Sequence, residues 1–512
     1  MYTMNMIMKK LLLLFLTLST AAAYNILCIH NVPSKSHFQL LKGIVKPLLE
    51  AGHQVTFVTT YPHEIQHNNL TVIDASSLMK IVDGIDAMEG QRFKINVGMF
   101  AKNISTQTAE NPKVKEIIVK NNYDAIVTEW FFSELESGYA AVQQVPWIML
   151  CGTVKHSHLE YLIDTVRSVS TVPDLLNYLP MPLSFWQRIV NNFIYVMKTL
   201  DFWKSFPTIK SDYETYFEPL AKARGIPLPP FEDAHRNISI MFVNSHPSFD
   251  PVRVMPPNVI DIAGYHIEDK TPELPQDLQT IMDSSPQGVI YFSMGSVLKS
   301  SMLTEENKRG LIQMFSELPY TVLWKFEAKL EGLPKNVHIR SWMPQTSILA
   351  HPNTKVFITH GGLLSTLEAL KYGVPMLAIP VFGDQPGNAQ RSVMSGLALK
   401  LDFSHDLGPG MKIALKELLT NDSYYNTAKS TSAVFNMRPV HTSTLITHYI
   451  ELAIETKGAF HLRSKTNLYA WWEHMMLDQL VFILAVLYLL KYTAHKIISL
   501  INNKTSHTKK NQ

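Results

Sequence analysis

The chain has 512 residues, 46% of them hydrophobic and 17% charged, and a formal net charge of +3. That length exceeds what one compact core serves and predicts roughly two to four domains, while the composition excludes a disordered or collagen-like chain. No block of basic residues lies beside aromatic ones, so the electrostatic footprint of a nucleic-acid binder is missing.

Residues 1–23 read as a signal peptide: Lys9-Lys10, the apolar run Leu11 to Leu18, then Ala21-Ala22-Ala23 before the cleavage point. From Tyr24, short apolar runs alternate with helix-period segments: Asn25 to Ile29, a helix to about Ala51, Gln54 to Thr59, Ala125 to Val127 and Trp147 to Cys151. Strands alternating with helices predict a parallel sheet covered on both faces, here a first domain over 24–245. Cys28 and Cys151, the only cysteines, each end an apolar run and are expected as buried free thiols without chemistry. The stretch Leu159 to Pro230 is rich in Met and aromatic residues, lacks strand alternation, and is expected to make helical excursions, either shaping an apolar pocket or as plain padding.

A polar, Pro-rich linker is predicted over 246–286, and the alternation then restarts over 287–456 with Gly288 to Ser293, Thr321 to Lys325, Val337 to Ile339, Lys355 to Thr359 and Pro375 to Ile379. Two Rossmann-like lobes follow, with ligands expected where the carboxyl ends of their strands face one cleft. After a juxtamembrane segment, 457–474, the apolar stretch 475–493 reads as a transmembrane helix with a tail at 494–512. Residues 491–512 carry Lys491, Lys496, Lys504, Lys509 and Lys510 with no acidic residue, which predicts a cytosolic tail and lumenal lobes, a single-pass type I arrangement. Lys509-Lys510 resembles the dilysine retrieval signal of endoplasmic reticulum membrane proteins. Sequons at Asn69, Asn103, Asn237 and Asn421 are glycosylation candidates that fit a secretory compartment.

The densest chemical signal runs from Trp342 to Gln385. Gly361 and Gly362 allow a ligand close to the backbone, and the helix after them offers free N–H groups and a positive dipole end to an anion, as a phosphate seat does. Glu368, three residues after Ser365 on that helix, can accept two hydrogen bonds from a ribose diol. Trp342 offers a flat platform for a base whose edge Gln345 can read, and Asp384-Gln385 after the next strand can grip sugar hydroxyls. Each of these alone is an ordinary structural residue; the ordered set is the signal.

This array, with Trp342, Gln345, His360, Ser365, Glu368, Asp384 and Gln385 in register, resembles the donor-binding signature of the UDP-glycosyltransferase family. FVNSHPSFDPVR, YFSMGS and RPVHTSTLITHYIELAIETKGAFHLR extend the resemblance over nearly the whole chain, particularly to insect members. It implies a GT-B fold, a UDP-sugar donor as co-substrate rather than a cofactor, no metal, and a small lipophilic acceptor. Uracil would stack on Trp342 with Gln345 at the uridine and Glu368 at the ribose. The diphosphate would meet His360, Gly361-Gly362 and Ser296, and the hexose Asp384 and Gln385. Leu364 departs from the pattern, because many relatives carry Asn there. The family's general base matches His37, and the Asp that orients it matches Glu129, one methylene longer. Glucose is the expected sugar, with glucuronate the alternative. A catalytically silent ligand-binding or regulatory membrane subunit is the reading from another class, and homo- or hetero-oligomeric assembly stays open.

Overall fold

The computed structural model describes residues 23–82, 97–163, 165, 168–174, 179–268, 270–296, 298–404, 406–465 and 469–510. The signal-peptide expectation, apart from Ala23, lies outside them. The chain divides into two compact units, Met1–Leu462 and Arg463–Gln512.

The first unit contains two all-parallel sheets. Strands β1 (Asn25–Ile29), β2 (Gln54–Thr59), β3 (Leu70–Asp74), β4 (Ala125–Trp130), β5 (Trp147–Cys151), β6 (Ile238–Val243) and β7 (Val259–Asp261) lie in the order β3-β2-β1-β4-β5-β6-β7. Strands β8 (Val289–Ser293), β9 (Thr321–Lys325), β10 (Val337–Arg340), β11 (Thr354–Thr359), β12 (Met376–Ala378) and β13 (Ala398–Lys400) lie in the order β10-β9-β8-β11-β12-β13. Every residue of β4, β5, β6 and β8 is buried, which is why these strands are mainly apolar rather than alternating. In each sheet the winding reverses at one point, between β1 and β4 and between β8 and β11. Crevices at such points, outside the carboxyl ends of the strands, are where open α/β sheets bind ligands.

Helix α1 (Lys35–Glu50) starts on Ser34, whose side chain accepts the His37 N–H, and it buries Phe38, Leu41, Ile44, Val45 and Leu48, the stripe its spacing predicts. The Leu159 to Pro230 stretch is helical as expected, dominated by α2 (Phe185–Ala223), which opens with a capping box of Ser184 and Gln187. The 246–286 stretch, expected as a linker, contains β7 and α3 (Gln276–Asp283), whose Leu278 and Met282 enter the second lobe's core. A three-residue strand and an eight-residue helix sit below what periodicity distinguishes from polar linker.

The second lobe carries α4 (Gln345–Ala350), α5 (Leu363–Tyr372) and α6 (Gln385–Met394). The domain expected to end at 456 closes with α7 (Thr442–Glu455), which returns to the first lobe and buries Ile446, Ile450 and Ala453 in the core that holds α1 and β1. Arg438 marks the crossing, donating to the Ala263 carbonyl at 2.7 Å. The second unit carries α8 (Leu477–Lys510), in which Leu477–Leu500 is a 24-residue apolar stretch. At 1.5 Å per residue it reaches ~36 Å, enough for a bilayer's ~30 Å hydrocarbon core. It is longer than the expected 475–493 because Lys491 does not end the helix; a lysine near a span's end extends its ammonium to the interface.

Candidate active site

The loop after β1 and the first turn of α1 hold His37, and the end of β4 beside it holds Glu129. His37 Nδ1 lies 2.5 Å from Glu129 Oε1, within hydrogen-bond reach. Burial opposes charge on this imidazole, but the Glu129 carboxylate outweighs it and, with Asp384 adding to the field, raises the His37 pKa above its ordinary 6.5. Asp384 belongs to the other lobe, so the imidazole and the sugar-gripping pair expected from the sequence share one cleft.

Glu129 is 1% exposed and its second oxygen has no hydrogen-bond partner. Gly152 makes the space for it: a Cβ there would stand 2.8 Å from Glu129 Oε1 and 2.6 Å from Leu40 Cδ1. Sequence reasoning missed this glycine, since only the three-dimensional approach of β5's end to β4 reveals its purpose. Phe131 meets the His37 ring edge-on at 5.1 Å and Phe100 backs Phe131 at 6.1 Å, so the imidazole faces an aromatic wall. Phe132 holds φ at 54°, a strained value for a bulky residue, and packs against the cores of both lobes.

In the second lobe, His360 directly follows β11 and Gly361 turns the chain with φ at 80° into α5, whose N-cap is Gly362. The His360 ring lies between two glycines: a Cβ on Gly295 would come within 2.5 Å of its Cε1, and one on Gly362 within 2.6 Å of its Nε2. Burial, then the nearby Lys325, lowers the His360 pKa to about 4, so the ring is neutral at pH 7 and carries one N–H donor. Lys325, at the end of β9, donates to the Gly295 carbonyl at 2.9 Å and to Glu327 at 2.7 Å, bracing the loop that presents Ser296, whose side chain is exposed. Lys325 was also missed, because a lysine inside an apolar strand pattern has no local signature.

Three expected residues are joined directly: Gln345 Nε2 donates to Ser365 Oγ at 3.0 Å and to Glu368 Oε2 at 2.6 Å. The other Glu368 oxygen lies 3.6 Å from Nε2 of His266, a buried histidine at the junction of the lobes. Trp342 presents its indole at 63% exposure. Gln385 is turned inward, its amide oxygen accepting from Val381 and Phe382 N–H at 2.9 and 3.1 Å, while Asp384 Oδ2 accepts from Asn388 at 2.8 Å. Leu364 packs on the first lobe's core, so the departure from Asn replaces a hydrogen-bonding side chain by an apolar contact across the lobes. Of the sequons, Asn103, Asn237 and Asn421 are exposed and Asn69 is half-buried. Cys28 and Cys151 are buried and free.

A family model described as "UDP-glucoronosyl and UDP-glucosyl transferase" matches residues 52–512. The chain belongs to the UDP-glycosyltransferase family. It is 30% identical over 490 residues to UDP-glycosyltransferase UGT5 of Dactylopius coccus, covering 92% of each chain. Human UDP-glucuronosyltransferase 2B28 is 28% identical over 477 residues, with 88% of each covered. Among solved structures, the calicheamicin glycosyltransferase CalG4 superposes with a TM-score of 0.57 at 18% identity, covering 85% of this chain and 99% of that one. A UDP-glucose:anthocyanidin 3-O-glucosyltransferase in complex with UDP does so at 0.55 and 16%, covering 84% and 99%. The fold is therefore GT-B, and the UDP-glycosyltransferase transfers a hexose from a UDP-sugar to an acceptor.

Proposed function

We propose that this UDP-glycosyltransferase moves glucose onto a hydroxyl of a small lipophilic acceptor, with inversion, and that His37 is the general base. The observation that carries the reading is the pair of partly exposed His37 and buried Glu129, facing Asp384 of the other lobe. With Nδ1 donating to Glu129, Nε2 of His37 takes the acceptor's proton as the acceptor oxygen bonds to the anomeric carbon and the bond from that carbon to UDP breaks. Glu129 holds the tautomer and stabilises the imidazolium. Trp342 stacks on uracil, Gln345 and Glu368 hold the uridine and ribose, and Ser365 supports them through Gln345. Neutral His360, the α5 N–H groups after Gly361-Gly362 and Ser296 meet the diphosphate charge. Asp384 and Gln385 bind the hexose, and Phe100 and Phe131 suit an apolar acceptor. No cofactor or metal is assigned; among the described residues no cluster of metal-ligating side chains occurs.

The lobes are assigned to the lumen of the endoplasmic reticulum, with Leu477–Leu500 of α8 spanning the membrane and the residues after it cytosolic. The deciding experiment is a panel of UDP-sugars against phenolic and steroidal acceptors, read by product mass spectrometry. A glucoside should form. Transfer only from UDP-glucuronate would replace glucose by glucuronate, and UDP binding without transfer of any sugar would refute the catalytic reading.

A further inference from the structure

Helix α5, whose N-terminus is the proposed diphosphate seat, is docked along one side onto the first lobe. Leu364, Glu368 and Lys371 stand at i, i+4 and i+7 and so share one face of the helix. Leu364 packs on the first lobe's core, and Lys371 Nζ donates to the Glu268 carbonyl at 3.2 Å. Between them Glu368 turns its Oε1 toward Nε2 of His266, 3.6 Å away. His266 lies in the segment that follows β7, and that segment is fastened to the first lobe. Tyr265 enters the core around α1, Glu268 pairs with Lys46 of α1 at 2.9 Å, and a Cβ on Gly43 of α1 would come within 3.3 Å of the His266 Cα. The His266 side chain is 3% exposed, and neither ring nitrogen has a hydrogen-bond partner among the described residues. A buried imidazole costs free energy unless its N–H finds an acceptor, and the acceptor set before it is Glu368 Oε1.

We propose that His266 is a positioning residue for ribose recognition: its Nε2–H holds Oε1 of Glu368 while Gln345 holds Oε2, fixing the carboxylate for the diol of the UDP-sugar. Gln345 already donates to Oε2 at 2.6 Å. On the other side Nε2 needs to approach Oε1 by only ~0.6 Å to reach ordinary hydrogen-bond length, and hydrogen bonds in active sites tighten when substrate is bound. An ionised carboxylate has about four lone-pair sites. The imidazole and the amide occupy one on each oxygen, and the others remain for the 2′- and 3′-hydroxyls. His266 is held by the first lobe and Gln345 by the second, so the ribose carboxylate is set only when the two lobes are docked. The grip on the nucleotide therefore depends on the junction as well as on the second lobe. The inference rests on the reading of Glu368 as the ribose ligand and is independent of the sugar and acceptor.

The test is calorimetry on the full chain in detergent with UDP, 2′-deoxy-UDP and 3′-deoxy-UDP. The parent should bind at least one deoxy form ~10- to 100-fold more weakly than UDP, the cost of losing a hydrogen bond to a charged group. His266→Leu should weaken UDP ~10-fold and bind that deoxy form nearly as the parent does. The penalty for the missing hydroxyl shrinks by the same factor, because a loosely held Glu368 gains less from the diol. In His266→Gln the amide nitrogen stands near the place of Nε2, and most of the parent's penalty should return. His266→Asn keeps a polar side chain but withdraws the donor; it should behave as Leu does, and it carries the test if the Leu chain does not fold. A histidine that merely fills space predicts that UDP and both deoxy forms weaken together with the penalty unchanged, and that result overturns this proposal alone. So does a Gln variant no better than Leu. A parent that shows no deoxy penalty overturns the ribose reading of Glu368 and this proposal together.

Discussion

Glu129→Gln preserves the side chain's shape and removes its charge. In the parent, burial pulls the His37 pKa down and the carboxylate at 2.5 Å more than restores it. The amide reverses that balance, and an imidazolium formed during proton transfer then loses its hydrogen-bonded counter-ion and keeps only the weaker field of Asp384. Losing one partner of a buried pair costs about 3–5 kcal/mol. At 1.36 kcal/mol per decade, kcat should fall by ~10²- to 10⁴-fold, the range of general base catalysis. Glu129→Asp keeps the charge but withdraws the carboxylate by ~1.5 Å, beyond hydrogen-bond reach of Nδ1. The lost charged hydrogen bond, about 1.5–3 kcal/mol, predicts a ~10- to 100-fold loss and places Asp between Gln and Glu. The assay is kcat at saturating UDP-sugar and acceptor, with calorimetry verifying that UDP affinity is unchanged. Because a base works unprotonated, parent kcat should decline as pH falls through the raised His37 pKa. In Glu129→Gln that limb should move to lower pH, since the cause of the elevation is gone. A Gln variant with parental kcat, or with its acid limb unmoved, refutes the dyad.

Gly362→Ala drives a Cβ to within 2.6 Å of the His360 ring and should weaken UDP binding tenfold or more by calorimetry, a displacement cost of about 1–3 kcal/mol. Leu364→Asn restores the residue many relatives carry and removes an apolar contact between the lobes; thermal denaturation should show a loss of about 1 kcal/mol, and a gain in UDP affinity would mean that the amide reaches phosphate. Burial raises the Glu136 pKa to about 7 against hydrogen bonds from Ser105 and Asn31. Its folded value lies above its unfolded one, so the stability it contributes is present at low pH and lost as pH rises through 7. Glu136→Gln should therefore be nearly neutral at pH 4 and stabilising by up to about 3 kcal/mol at pH 8 in denaturant titrations, with equal effects at both pH values contradicting the assignment.

The grouping of the candidate donor residues was legible because it is local. Trp342, Gln345, His360, Ser365, Glu368 and Asp384-Gln385 follow strand ends at fixed offsets, and a strand–turn–helix unit turns sequence spacing into spatial neighbourhood. The pairing of His37 with Glu129, far apart in sequence, was reachable only because the resemblance named both positions. Periodicity also found the buried strands and the stripe of α1. What it missed depends on approaches between distant segments: Gly152 as the space beside Glu129, Lys325 behind the Gly295 loop, His266 near Glu368. The 246–286 stretch and α7 misled for a related reason. Short elements and a helix that changes lobe carry ordinary local signals, and only packing decides which core they join.

That change of lobe means the polypeptide passes between the halves twice, outward through the segment after β7 and back near Arg438 into α7. Two crossings leave the halves less freedom than a single tether would. Swinging apart about an axis through both crossings is cheap, whereas twisting about the line joining the lobes would strain both at once. An opening about that axis would return Asp384 opposite His37 on closing. The same wiring makes the halves hard to part, because a protease cut in either crossing still leaves the other covalently intact.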